Sequence, residues 1–409
     1  MKKIAIFGAG KNAERIAPCL KLDVEVIVYL DNNILKWGQK LNGIPITSPD
    51  KVIDKEYQFI VIATVNYKPV VEQLLKLGID SEKLITPFSF QHSDYNLWRD
   101  IFNIEELIYI EMNMKLEKME LYLNNIEYEV AAKIKAEYLD FPKVHNIEET
   151  IREIKENRKS MSRYGDGELD IIFGGEVTFQ PYHKILSARL KEILTSNLDN
   201  HIVCLPNIYG GYENRTDEFK NFFRQHLSNG RRKKEYELFD FQKDYYDSFV
   251  TRPYKDYIDK SETEKHFMLL KSIWLERDVT IVEGDKTRFG VGNDLLAKTN
   301  SCIRILAPSR NAFTKYDKLL EAVCQTDKKR LVLIALGPAA TVMAYDLAKL
   351  GYQALDIGHV DIEYEWFLLG ATEKTPIKGK YVNEVPEGHD ISDFYEDETY
   401  NSQIVAKIL

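Results

Sequence analysis

From Ser93 to Phe141 the chain contains neither glycine nor proline. Glu, Lys, Leu, Met and Ile dominate there, and Leu107, Ile110, Met114, Leu121 and Ile126 recur at mostly helical spacing. The run predicts one or two long helices, stopped by Phe141-Pro142. It also divides the chain, because a connector over 93–145 leaves a smaller region before it and a larger one after it. A length of 409 residues agrees with two or three domains of about 150 residues each. The connector also offers a surface for a homo-oligomer contact, or it packs across the two regions.

Both flanking regions alternate strand with helix, the rhythm of a parallel sheet covered on both faces. Over 1–92, strand patterns fall at Lys3 to Phe7, Val24 to Leu30, Gln58 to Ala63 and Lys83 to Ile85, with helices over Asn12 to Leu20 and Val70 to Leu77. Over 146–385, a helix over Ile147 to Lys159 is followed by strands at Ile202 to Leu205, Thr280 to Glu283, Ile303 to Ala307, Arg330 to Ala335 and Ala354 to Ile357. Helices are expected at Lys184 to Leu194, Asn293 to Ala297 and Ala340 to Leu350. The expected fold class is therefore α/β. It comprises a small Rossmann-like parallel sheet domain, a helical connector and a larger Rossmann-like α/β domain. The last stretch, 386–409, holds Glu387, Asp390, Asp393, Glu396, Asp397 and Glu398 against Lys407 and reads as a solvated acidic tail.

Composition narrows the partners. The formal net charge is −9, which argues against a protein that holds nucleic acid electrostatically. Four cysteines without a CxxC spacing make a disulfide framework or zinc site unexpected. The apolar run after Met1 is too short for a signal peptide, and no stretch of about 18 apolar residues suggests a transmembrane helix, so a cytoplasmic protein is expected.

Four segments carry residues suited to chemistry. Gly8-Ala9-Gly10-Lys11-Asn12-Ala13 follows a strand and opens a helix, and Asp31 ends the next strand. Glycines there let a backbone approach a phosphate, and the carboxylate would reach a ribose. Gly8, Gly10 and Asp31 are thus candidates for a nucleotide of the NAD type, set against a turn that serves only the sheet. Arg163-Tyr164-Gly165-Asp166-Gly167-Glu168 spaces two carboxylates around a glycine. Asp166 and Glu168 can turn toward one hard cation such as Mn²⁺ or Mg²⁺, with Arg163 and Gly165 next to the phosphates it would hold. Taken alone, the same residues are ordinary turn chemistry. Arg288 and Arg310, with Glu283, stand at or after expected strand ends, where open α/β sheets bind ligands, and Arg252 follows another ordered element; singly, each arginine also reads as a surface residue. Arginines there suit a diphosphate, and Glu283 a sugar hydroxyl. Asp356 to Trp366 then crowds four carboxylates, His359 and two aromatics without a lysine. That density suggests acid–base work and sugar stacking, the latter by Tyr364.

Together these segments resemble the glycosyltransferases of the GT-D fold, some of which build glycans on bacterial serine-rich adhesins. The matching blocks, in family order, are RYGDGEL at 163–169, TRPY at 251–254, VEGDKTRFGVGND at 282–294, APSRNAF at 307–313, LGPAATVMAYDLA at 336–348 and DIGHVDIEYEWF at 356–367. The resemblance implies a DxE metal motif at Asp166 and Glu168. It also implies a nucleotide-sugar donor, usually UDP-linked and here a UDP-hexose such as UDP-glucose, and a glycan or glycoprotein acceptor. Residues 1–145 lie outside the resemblance. The expected general base is Glu363, then Asp361, then His359. The alternatives are a nicotinamide-dependent oxidoreductase or epimerase run by residues 1–92, or a binding and assembly module. Against the former, the domain is short and no Tyr-x-x-x-Lys follows at a suitable place.

Overall fold

The computed structural model describes residues 1–89, 98–134, 138–385, 388 and 397–409. It divides into two compact units, Met1–Glu120 and Leu121–Leu409. The glycine- and proline-free run forms one helix, Ile104–Lys133. Residues 93–97 and 135–137 of the expected connector lie outside the described residues.

The first unit is built on a six-stranded sheet. Its strands are β1 (Lys2–Phe7), β2 (Val24–Leu30), β3 (Lys40–Leu41), β4 (Ile44–Thr47), β5 (Phe59–Ile62) and β6 (Leu84–Ile85), in the order β3-β4-β2-β1-β5-β6. All pairings are parallel except the β3–β4 hairpin, which sequence patterning missed. Strand alternation sends Ile4 and Ile6 to one core and Ala5 and Phe7 to the other, so both faces are covered. The first core also takes Leu107, Ile110 and Met114 of the long helix.

The second unit carries a nine-stranded, wholly parallel sheet. Its strands are β7 (Lys143–Val144), β8 (Ser160–Arg163), β9 (His201–Leu205), β10 (Asp244–Asp247), β11 (Asp278–Gly284), β12 (Ser301–Ala307), β13 (Leu331–Ala335), β14 (Gln353–Asp356) and β15 (Ile404–Lys407). The order is β15-β12-β11-β13-β14-β8-β9-β10-β7. Strands from the two halves of the unit's sequence meet where β14 pairs with β8, and such a border in an open parallel sheet is where ligands sit. Leu331 and Leu333 join one core while Val332 and Ile334 join the other, so this sheet too is covered on both faces.

Two expectations need correction. Asn293 to Ala297 is a series of turns rather than a helix, because the Asn293 side chain donates to Asp361 and Glu365 at 2.9 and 2.7 Å. The acidic tail is not solvated throughout. Asp397 caps the helix Glu398–Gln403, Tyr400 is buried beneath the Arg304 guanidinium, and β15 pairs with β12 as an edge strand. The apolar Ile404 and Ala406 face inward there, which the charge count concealed. Glu387, Asp390, Asp393 and Glu396 lie outside the described residues. All four cysteines are free thiols, and no described helix is long and apolar enough to cross a membrane.

Candidate active site

A cavity of about 720 Å³ opens at the C-terminal ends of β8 to β14. That size suits a small-molecule ligand. The RYGDGEL segment makes one wall. Arg163 ends β8, and Asp166 starts the helix Asp166–Ile172. The Gly165 N–H donates to Glu168 Oε2 at 2.8 Å, so Glu168 folds back over the turn that introduces it. A Cβ on Gly167 would lie 2.9 Å from Val177 Cγ1, so the residue between the two carboxylates has no room for a side chain.

Both carboxyls are short of positive charge. Burial, then the neighbouring Asp356 carboxylate, pushes the Glu168 carboxyl up to about 7, and burial raises Asp166 as well. Arg163 offsets this only in part, because it is spent on Asp356. Its Nε and Nη2 donate to Asp356 O and Oδ1 at 2.9 and 3.1 Å, and Nη1 to Ser248 O at 3.3 Å. Two half-buried hard oxygen donors beside a cavity fit a divalent cation that keeps open positions for phosphate oxygens. Among the described residues no group of three or more His, Cys, Asp or Glu forms a self-sufficient metal cage.

Arg252, Asp256, His359, Lys374 and Glu384 also line the cavity. Glu384 Oε1 accepts from Arg252 Nη2 at 2.5 Å and lies 3.4 Å from His359 Nε2, and Glu384 Oε2 pairs with Lys374 at 2.6 Å. Burial would raise the Glu384 carboxyl, yet the charges of Arg252 and Lys374 hold it well below the usual range. Burial and Arg252 push His359 down to about 4, so its imidazole is neutral at neutral pH.

Residues 161–385 match the model of the glycosyltransferase GT-D fold. The chain belongs to the GT-D glycosyltransferases. A probable glycosyl transferase of Streptococcus gordonii is 38% identical over 271 residues, 65% of this chain and 39% of that protein. Glycosyltransferase GlyD of Streptococcus pneumoniae is 39% identical over 284 residues, 66% of this chain and 33% of that protein. The chain therefore spans only about a third to two-fifths of these relatives. Among solved structures, a glycosyltransferase from Streptococcus sanguinis superposes with a TM-score of 0.61 at 38% identity, over 66% of this chain and all (100%) of that one. The structure of a domain of unknown function reaches 0.62 at 36% identity, over 71% and 99%. Residues 1–85 match a separate model, C2185-like, N-terminal.

Within this GT-D cavity the other expected site residues divide. Asp361 reaches the wall, but both its oxygens are bound by the buried Lys380 at 2.8 and 2.7 Å, with the Gly290 N–H and Asn293 added. Glu363 is fully buried and does not line the cavity. It accepts the Tyr254 and Lys255 N–H groups at 3.3 and 3.0 Å, and burial pushes it up to about 7. Glu283 is likewise buried, on Arg304 Nη1 at 2.6 Å and the Phe289 N–H at 2.7 Å. Arg288 is buried against the Tyr400 ring, and Arg310 is exposed beside the cavity without lining it. The Tyr364 ring packs edge-on to Phe267, and its hydroxyl donates to Asp294 at 2.5 Å. Sequence reading missed Lys374, Lys380 and Glu384. They follow the last helix of the site (Val360–Leu368) in a loop without a recognisable motif.

The small unit's nucleotide candidates are occupied by the chain itself. Asp31 Oδ2 accepts the Ala9 N–H and Lys36 Nζ, each at 2.8 Å, and Oδ1 accepts the Asn33 N–H at 2.9 Å. Gly8 needs its φ of +96°, whereas a Cβ on Gly10 would meet nothing within 4 Å. The helix that follows, Lys11–Ile16, is a short six residues. The carboxylate expected to hold a ribose thus ties the first loop to the second. Asp31→Ala is expected to destabilise this unit by about 1–3 kcal/mol, the cost of a buried donor left unpaired. Denaturant unfolding measures it, and an unchanged midpoint would refute the structural role.

Proposed function

We propose that the protein is a metal-dependent glycosyltransferase that moves a hexose from a UDP-linked donor, such as UDP-glucose, to a glycan or glycoprotein acceptor. The observation that carries this reading is the placement of Asp166 and Glu168 on a ligand-sized cavity that Arg252 and His359 also line. Asp166 and Glu168 would hold Mn²⁺ or Mg²⁺, which when bound supplies Lewis-acid neutralisation of the diphosphate leaving group. Arg252 adds fixed positive charge to the cavity lining, held in place by Glu384. Arg163 acts one layer back, as the partner of Asp356.

His359 is the proposed base, ahead of Glu363 and Asp361. Geometry decides the order before acidity does. His359 borders the cavity with a neutral ring, while Glu363 is enclosed and Asp361 is bound on both oxygens. The Glu384 carboxylate beside Nε2 stabilises the imidazolium formed when the ring takes the acceptor hydroxyl's proton. A base in this role belongs to an inverting transfer.

A panel of nucleotide sugars, incubated with Mn²⁺ or with EDTA, tests the reading. The expected result is turnover of a UDP-hexose that EDTA abolishes. Turnover unaffected by EDTA, or none with any nucleotide sugar, would contradict it. The pH dependence has a definite sign. Glu168, raised to about 7, carries a proton below that pH, and a cation must displace it. Apparent Mn²⁺ affinity is therefore expected to fall toward about tenfold per pH unit as pH drops below about 7. A pH-independent affinity between 5 and 7 would exclude Glu168 as a ligand.

A further inference from the structure

The helix Ile104–Lys133 is apolar on two faces. One, through Ile104, Leu107, Ile110 and Met114, packs on the core of the small sheet. The other carries Tyr109, Leu116, Leu123 and Val130, alternating with Met112, Met119 and Ile126. The steps between them alternate strictly between three and four residues, the a/d repeat of a coiled coil, sustained from 109 to 130. Apart from the half-buried Ile126, these side chains are between 47% and 63% exposed. A helix face directed only at water carries charges instead.

We propose that this seam is a dimer interface whose occupant is the same helix of a second copy, in parallel register. A repeat of 3.5 residues matches a helix bearing the same repeat, and the nearest such helix is the chain's own. One flanking charge pair agrees, through Lys115, which also pairs with Glu111 of its own helix at 2.5 Å. With Tyr109 at a, Lys115 takes a g position and Glu120 an e position. A parallel pair therefore sets Lys115 of each copy opposite Glu120 of the other, twice by symmetry. Exposed methionines and a tyrosine on the seam suit a dimer of moderate affinity that forms with concentration.

The test is the mass of the full chain by light scattering across a concentration series. The expected result is a concentration-dependent rise from 47.6 kDa toward twice that value. The double variant Leu116→Glu and Met119→Glu should stay at 47.6 kDa throughout, with an unchanged circular dichroism spectrum, because both positions face solvent within one chain. Ile258→Glu, equally exposed but elsewhere, should dimerise like the parent. The charge swap gives an independent reading: Lys115→Glu should weaken the dimer, and adding Glu120→Lys should restore it. A parent chain that stays monomeric, or a dimer unaffected by the seam variant, would overturn the proposal.

Discussion

Replacing Asp166 by Ala is expected to lower sugar transfer about 10³-fold or more while leaving the fold intact. If the cation that neutralises the leaving group contributes several kcal/mol, losing one of its two protein ligands forfeits a large share of it, and each 1.36 kcal/mol is a factor of ten. Folding should be spared because burial raises the Asp166 carboxyl, so its charge adds little stability to the native state. Glu168→Gln is the companion variant. An amide oxygen can still accept the Gly165 N–H and keep the turn, but it brings no charge to a cation. Both variants should show melting temperatures close to the parent's in EDTA and lose the stabilisation that Mn²⁺ gives the parent. Retention of more than a tenth of the activity by either one would contradict the assignment.

The second large effect falls on a glycine. Gly358 adopts φ +44°, and a Cβ there would stand 1.8 Å from Arg163 Nη2. Gly358→Ala must therefore expel the guanidinium from Asp356, a buried carboxylate that Arg163, Thr341 and the Gly358 N–H now satisfy. Leaving a buried charge without its partner costs roughly 3–5 kcal/mol. The expected result is a clearly lowered denaturation midpoint together with loss of transfer, since β8 and β14 meet at this pair and carry the cavity walls. Gly10→Ala is the control, because its Cβ has open space and its φ is extended. An unchanged midpoint for Gly358→Ala would contradict the role given to Arg163.

What the sequence disclosed follows the same physics. Strands made of continuous apolar residues, such as Phe59–Ile62 and Leu331–Ala335, were legible, because burial on both faces leaves that pattern. Strand β8 was not. Its sequence Ser-Met-Ser-Arg has one apolar residue, and it survives in the core because Ser160 bonds to the backbone of residues 352 and 354, and Ser162 to Thr341 O and His201. The acidic last segment likewise concealed an edge strand of only four residues. In the site, the paired carboxylates at 166 and 168 and the arginine at 252 could be read from local spacing. Which carboxylate of Asp356 to Glu365 faces the cavity could not. That depends on distant partners: Lys380 for Asp361, the Tyr254 and Lys255 amides for Glu363, and Glu384 for His359. Burial is the feature that local spacing hides: Glu363, pushed up to about 7, is also fully enclosed.

The central claim is that Asp166 and Glu168 hold a cation that in turn holds a nucleoside diphosphate. Calorimetric titration of UDP into the protein tests it most directly, with Mn²⁺ present and with EDTA. Strong binding is expected in Mn²⁺ and a loss of at least tenfold in EDTA, with Asp166→Ala binding equally weakly under both conditions. Equal affinity in Mn²⁺ and EDTA for the parent chain would contradict the account.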